Sequence, residues 1–332
     1  MKPDQIPLSR GVFERLSALG LDVPAILQRA GLSTDLIQQP RAALGTAQFF
    51  ALWQAIEAMS NDPALGLRLG DGTRTKTYDV VTLAALHSAT LGEALQTLAR
   101  YKRLTCPEEI GIELSRNEAA VSMRWILADS YTPAMLVDAI FASNLALAER
   151  GSGHIIRLRR LEPTRRPIAS DMLSAHFRCE LRFNAAEDRI VYDRADLDLP
   201  FITHDEDHLA TVVPTLDQAL HTLSATTSLS DKVWNVLARG MRGGHQRMAQ
   251  VAAALHLSPR TLQRRLGEAG TSYQQLLDQV RHHIAQHLLD VTDLDTGEIA
   301  FLLGFEELNS FNRAFRQWEG KTPTRRRSTA AG

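Results

Sequence analysis

Only two cysteines, Cys106 and Cys179, occur in the 332 residues, and they lie far apart in sequence. A disulfide-built scaffold is thereby argued against, and a reducing cytosol fits. No apolar run approaches the ~20 residues of a membrane span, and the opening MKPDQIPLSR is too polar for a signal peptide. The expected location is cytoplasmic, with no membrane partner. Also missing are a P-loop, a Gly-x-Gly-x-x-Gly turn and a Gly-x-Ser-x-Gly elbow. No constellation supports catalysis, so no catalytic residue, cofactor or metal is expected.

Net charge is scarce too, at −1, but it is unevenly spread. Between Gly240 and Arg327 there are 12 Lys+Arg against 9 Asp+Glu, which leaves 25 against 29 elsewhere. A basic C-terminal part (+3) is thus joined to a mildly acidic remainder (−4). The imbalance favours nucleic acid as a partner of the C-terminal part alone.

What is present in that basic part is a repeat. Val251-Ala252, Leu255 and Leu257 recur 48 residues on as Ile299-Ala300, Leu303 and Phe305. After one added residue, Leu262, Arg264 and Leu266 recur at 49 as Phe311, Arg313 and Phe315. Each copy reads as a short helix, a tight turn and a second helix. In the first, Ser258 is the N-cap and Pro259 the first helical residue. Leu262 and Leu266 face inward, whereas Arg260, Gln263 and Arg264 fall on the opposite side of the wheel. In the second, Asp295 and Glu298 form a capping box and Gly304 supplies the turn. Phe311, Phe315 and Trp318 make the buried stripe there, with Asn309, Asn312, Arg313 and Arg316 opposite. A solvated face has the same pattern, and the repetition is what favours DNA. Arg pairs bidentately with guanine O6/N7, and Gln or Asn with adenine N6/N7. Tyr273 to Leu289 predicts one long amphipathic helix between the copies.

Two helix-turn-helix units on such a helix resemble the DNA-binding domain of the AraC/XylS family of transcription regulators. The resemblance implies that both recognition helices enter successive major grooves on one side of the duplex. It places Arg260, Gln263, Arg264, Asn309, Asn312 and Arg313 at base-contacting positions. Arg265, Arg316, Lys321, Arg325, Arg326 and Arg327 then hold phosphates. Three departures stand out. His256 replaces the usual Gly of the first turn, Arg247 sits at a cap better served by Ser or Thr, and the closing Pro323-Thr324-Arg325-Arg326-Arg327 lacks the family's aromatic.

Upstream, periodicity predicts helices through residues 10–60, with Thr46 as an N-cap, then a short helix from Pro63 to Gly70. An exposed loop is expected at 71–77, followed by helices at Val80–His87 and Leu91–Leu104. Ile110–Leu114 and Val121–Leu127 alternate and predict a hairpin. A helix follows over Pro133–Glu149, then a strand at Ile156 and Leu158, then a second hairpin over Glu180–Asp193. Leu91-Gly92-Glu93-Ala94-Leu95, Phe177-Arg178-Cys179 with Leu181 and Phe183, and Asp196-Leu197-Asp198-Leu199-Pro200 resemble the ornithine-utilisation-regulator-like subgroup. That subgroup carries an arabinose-binding-type N-terminal domain. From Asp205 to Ser224 a helix carries Leu209, Val212, Val213, Leu216, Leu220 and Leu223, a stripe for packing on its own domain or for a dimer seam. Pro214 predicts a kink or break.

The fold class expected is an α+β sensor or dimerisation domain, helices with a small antiparallel sheet. An all-α DNA-binding domain of two helix-turn-helix units joined by a long helix follows. The expected boundaries are 1–205, a connecting helix and linker at 206–230, and 231–327. The function expected is a sequence-specific DNA-binding regulator controlled by a small-molecule effector or by homodimerisation. The resemblance further implies transcription activation through RNA polymerase. Two alternatives stay open: a ligand-independent, self-associating regulator, and an enzyme-fused DNA-binding protein that would need a reactive cysteine. His204/His208 and His283/His287 share a four-residue spacing but lack the further ligands of a metal site.

Overall fold

A computed structural model describes residues 4–39, 41–71, 79–126, 132–226, 228–240 and 247–330. The chain falls into two compact units, the first drawn mainly from residues up to Ala225 and the second from Thr226 onward.

The first unit opens with β1 (Ile6–Ser9), α1 (Arg10–Ala18), α2 (Val23–Arg29), β2 (Arg41–Leu44) and α3 (Thr46–Met59). The strands β1 and β2 pair antiparallel, with Ile6 opposite Leu44, and β2 interrupts the stretch 10–60 for which periodicity predicts helices. Two four-residue strands that meet across more than thirty residues leave no alternation long enough to read. Thr46 is the first residue of α3 and not its cap. Its amide and hydroxyl donate to Asp4 Oδ1 at 2.8 and 2.6 Å, while the Gly45 amide donates to Gln48 Oε1.

Then come α4 (Leu65–Gly70), α5 (Val80–Leu86) and α6 (Leu91–Tyr101), which ends in a 3-10 turn over Lys102–Leu104. The predicted loop at 71–77 lies almost wholly outside the described residues. β3 (Glu108–Leu114) and β4 (Glu118–Trp125) form the expected hairpin, followed by α7 (Ala134–Ser152). The helix α4 lies close along α7 because it presents glycine there. A Cβ on Gly70 would sit 2.1 Å from the Ala139 carbonyl oxygen, and one on Gly66 2.6 Å from that of Met135.

The remaining elements of this unit are β5 (Arg160–Glu162), α8 (Ser170–Phe177), β6 (Glu180–Leu181), β7 (Arg189–Asp193) and α9 (Glu206–Thr226). The second hairpin needs correcting: the sheet order is β3-β4-β7-β5-β6, so β5 lies between the two strands expected to pair. The seven-residue connection from Arg182 to Asp188 is too long for a tight turn. It lets β5 pair antiparallel with β7 and parallel with β6. The strand expected at Ile156 and Leu158 starts two residues later, at Arg160, although both side chains are buried.

Two of the segments that carry the subgroup resemblance, Leu91–Leu95 and Asp196–Pro200, touch each other. The Leu91 amide donates to the Leu199 carbonyl at 3.1 Å, Thr90 bridges Pro200, and the Phe201 amide reaches the Ala89 carbonyl. Along α9, Leu209, Val212, Leu216 and Leu220 pack on the unit's own core beside Leu91, Leu98 and Tyr192. Leu216 is buried there and Leu209, Val212 and Leu220 are half-buried, so most of the stripe packs on its own domain. The helix continues unbroken through Pro214, and the Tyr101 hydroxyl donates to Asp217 at 2.6 Å.

The second unit is all helical: α10 (Leu229–Gly240), α11 (Met248–Ala254), α12 (Pro259–Glu268), α13 (Tyr273–Val291), α14 (Thr296–Leu302), α15 (Leu308–Glu319) and α16 (Pro323–Ala330). It holds two cores. Val233, Leu237, Val251, Ala252, Leu262, Leu266, Leu276, Leu277 and Val280 form one. Ala285, Leu288, Leu289, Ile299, Ala300, Leu303, Phe311 and Phe315 form the other. The N-terminal half of α13 belongs to the first and its C-terminal half to the second, with Ile284 packed against both.

Candidate nucleic-acid interface

Each recognition helix is held from behind by the side chains that the repeat predicts to be buried. Leu262 and Leu266 of α12, and Phe311 and Phe315 of α15, have no accessible surface. With those residues fixed, 3.6-residue periodicity turns Arg260, Gln263 and Arg264 outward, and all three are exposed. On α15, Asn309 and Arg313 are exposed and Asn312 is half-buried. Arg265 and Arg316 are exposed, and Lys321 is half-buried in the turn before α16.

Caps set where each helix starts. Ser258 Oγ accepts from the Thr261 amide at 3.1 Å, and Asp295 Oδ1 accepts from Gly297 and Glu298 at 2.7 and 2.8 Å. The Asp295 amide in turn donates to Glu298 Oε2 at 2.7 Å, completing the predicted box. At Arg247 the side chain does not cap; Gln250 Oε1 accepts from the Arg247 amide at 2.8 Å instead. His256 takes φ 55° and Gly304 φ 71°, so the two turns share a left-handed residue despite the substitution. Holding a non-glycine residue there costs about 1 kcal/mol, least for Asn, Asp and His.

The long helix does more than join the units. Arg281 of α13 is 7% exposed and donates from Nε to the Leu303 carbonyl at 3.0 Å and from a terminal nitrogen to that of Gly304 at 3.1 Å. Its guanidinium lies 4.4 Å from the centre of the Phe305 ring. The turn between α14 and α15 is therefore clamped directly onto α13. The spacing of the repeat gave no sign of this contact.

The basic residues divide by their partners. Arg264 is paired with Glu268 one turn along α12, yet the side chain stays 62% exposed. Among the described residues, Arg313 makes only a 3.5 Å contact with Ser310 Oγ. At the end of the chain, Arg326 binds Asp290 through two nitrogens at 3.1 and 2.7 Å and Glu319 at 2.9 Å, and the side chain is 22% exposed. Arg327 Nε donates to the Leu289 carbonyl at 3.3 Å. The expectation that all of 325–327 face phosphates is revised accordingly. The charge of Arg326 is already met by two carboxylates and Arg327 is tied to α13, which leaves Arg325 exposed. These two arginines dock α16 in place of the absent aromatic.

Glu319 anchors that cluster. Burial works against its charge, but hydrogen bonds from His282 and Gln286 and the Arg326 guanidinium hold it below the usual carboxylate range. The other polar pairs singled out by spacing are engaged in packing. His208 lies 4.3 Å from the His87 ring, centre to centre, and His283 meets Trp234 edge-on; the His287 side chain lies outside the described residues.

Comparison with known proteins gives two matches that together span most of the chain. Residues 20–201 match the family described as the arabinose-binding domain of AraC transcription regulators, N-terminal, and residues 251–329 match a helix-turn-helix domain family. The ornithine utilization regulator of Pseudomonas aeruginosa is 26% identical over 321 residues, covering 96% of this chain and 94% of that protein. The regulator VirS of Mycobacterium tuberculosis is 25% identical over 326 residues, at 96% and 94% coverage. Among solved structures, the regulator CdpR of Pseudomonas aeruginosa aligns with 91% of this chain and 95% of its own, at 23% identity and a TM-score of 0.45.

Proposed function

The chain belongs to the AraC family of transcription regulators and is a DNA-binding regulator of that type, and from this premise we propose how it reads DNA and what controls it. Arg260, Gln263 and Arg264 contact bases in one major groove, and Asn309, Asn312 and Arg313 in the next. Arg265, Arg316, Lys321 and Arg325 hold phosphates. The observation that carries this reading is the pair of recognition helices, each buried on its leucine or phenylalanine side and exposed on its Arg, Gln and Asn side. Both rest on one 19-residue helix, which spans about 28 Å at 1.5 Å per residue. That length is close to the ~34 Å repeat separating successive major-groove faces.

The first unit binds a small-molecule effector, and the regulator acts as an activator through contact with RNA polymerase. A ligand of this kind works by binding one arrangement of the protein more tightly than another. Footprinting on the bound promoter tests the DNA half. Two protected major-groove segments about 10.5 base pairs apart are expected, and one short footprint overturns the two-unit reading.

A second reading, self-association without ligand, is separated by a thermal-shift screen of the full chain against metabolites, because a selective ligand raises apparent stability. Leu209, Val212, Leu216 and Leu220 of the α9 stripe already pack on the first unit's core, which favours another face for a homodimer. Against a fused enzyme, burial pushes the Cys106 and Cys179 thiols up to about 11. Thiols that stay protonated at neutral pH are poor nucleophiles.

A further inference from the structure

The two recognition helices keep large apolar side chains on their buried sides, with one exception. Leu308, the first residue of α15, is 41% exposed. Among the described residues it is the one large apolar side chain that either recognition helix leaves exposed. Phe311 and Phe315 of the same helix have no accessible surface, and Trp318 packs on their core. Leu308 belongs to neither core of the second unit.

Helix formation does not ask for leucine here. The amide of a first helical residue has no intrahelical partner, which is why proline is favoured at that position. The first copy of the repeat follows this preference: Pro259 stands 49 residues before Leu308, the same step that relates Leu262 to Phe311. Glu307, with φ −132° and ψ 139°, is extended and would accept a following proline, yet the second copy carries leucine. An isolated exposed leucine is ordinary on a protein surface. Its position is what makes this one informative.

Helical side chains lean toward the N-terminus of their helix, so Leu308 leans past the start of α15. In helix-turn-helix proteins the N-terminal residues of the recognition helix are the ones that meet base edges. Asn309 follows Leu308 and Asn312 lies one turn along from it, so the leucine borders the polar reading face. Every base pair offers hydrogen-bonding groups to the major groove, but the apolar group there is the C5-methyl of thymine. Against the edge of any other base a leucine covers polar atoms and leaves them unmet. We infer that Leu308 reads a thymine through its methyl group, a contact for which the first copy, with Pro259, has no counterpart. This assignment rests on the reading of α15 as a helix in the major groove.

The test uses the full chain and a duplex that it selects from a random library. Each thymine is replaced in turn by deoxyuridine, which removes the methyl group and keeps the base pair. At one thymine the replacement should weaken binding about fourfold, the worth of burying one methyl-sized group. In Leu308→Ala the same replacement should change nothing. Leu308→Pro takes the first copy's residue, suits the first helical position and should behave as the alanine variant does, which keeps the test decisive if that variant fails to fold. The assignment is overturned if no thymine methyl matters, or if the deoxyuridine effects are the same in the unaltered chain and in the variants. A uniform loss on selected and scrambled duplexes, with deoxyuridine sensitivity intact, would make Leu308 structural and overturn it as well. In each of these cases, loss of discrimination in Arg313→Ala leaves the base-reading role of α15 standing. If Arg313→Ala also discriminates as the unaltered chain does, both readings fall.

Discussion

Arg264 and Arg313 occupy the same place in the two copies but not the same environment. Arg264 is tethered by Glu268, and Arg313 leans on a serine hydroxyl. In the proposed base-reading role, Arg264 would exchange one anion for a base edge. Arg264→Ala and Arg313→Ala should each lose about 1–3 kcal/mol of discrimination between cognate and scrambled DNA. Equal loss on both DNAs would remove these residues from base reading. At Glu319 the linkage is acid-side. Its folded pKa is depressed, so its contribution is present above the unfolded carboxylate value and disappears as pH falls through the lower folded value. Replacing Glu319 with Gln should lower stability at neutral pH and flatten the fall in thermal stability below about pH 4.5, its ordinary value. An identical acid profile in wild type and variant would contradict this.

Turns and helix ends are where the elements are joined, and arginine does the joining twice. Arg281 ties α13 to the turn of the second unit through two carbonyls and an aromatic ring. Arg281→Met keeps much of the buried stem but strips the bonds, and should cost about 2–3 kcal/mol. If the tie positions α15, the variant also loses affinity for the full promoter while retaining binding to the half contacted by α12. Equal weakening at both half-sites would argue against that role. Arg326 does the corresponding work at α16. Arg326→Ala leaves Asp290 and Glu319, each 14% exposed, without their common cation, and should cost about 1–3 kcal/mol. Its effect on the salt dependence of DNA binding should be small. Arg325→Ala should do the reverse, holding stability and reducing the log–log salt slope by about one. A slope lost in Arg326→Ala would return that residue to the phosphates.

At the scale of the molecule, the cores decide what folds alone. Both clusters of the second unit are built only from residues between Leu229 and Trp318. A fragment of residues 228–332 is expected to fold cooperatively and to bind the promoter without the first unit. A fragment that stays unfolded by circular dichroism would show that its cores are not enough. The family match extends over both units, so the proposed response to an effector is tested only in the full chain.

Sequence by itself determined the second unit almost completely. Its signals are local: caps within three residues of what they cap, apolar positions at helical spacing, and a repeat that states them twice. Ser258, Asp295 and Gly304 act as their types dictate, and Leu262, Leu266, Phe311 and Phe315 are buried as spaced. Tertiary structure alone decided everything that depends on distant pairing. It inserted β5 between β7 and β6, joined β1 to β2, brought the Leu91 and Leu199 segments together, and turned Arg326 from solvent to Asp290. It also put Lys102, Glu108 and Asn144 around one cavity from three separate elements. The physical reason is the same in each case. Helices and caps are closed by neighbours in the chain, whereas sheet order, ion-pair choice and cavities are closed by partners tens of residues away, whose meeting no local pattern encodes.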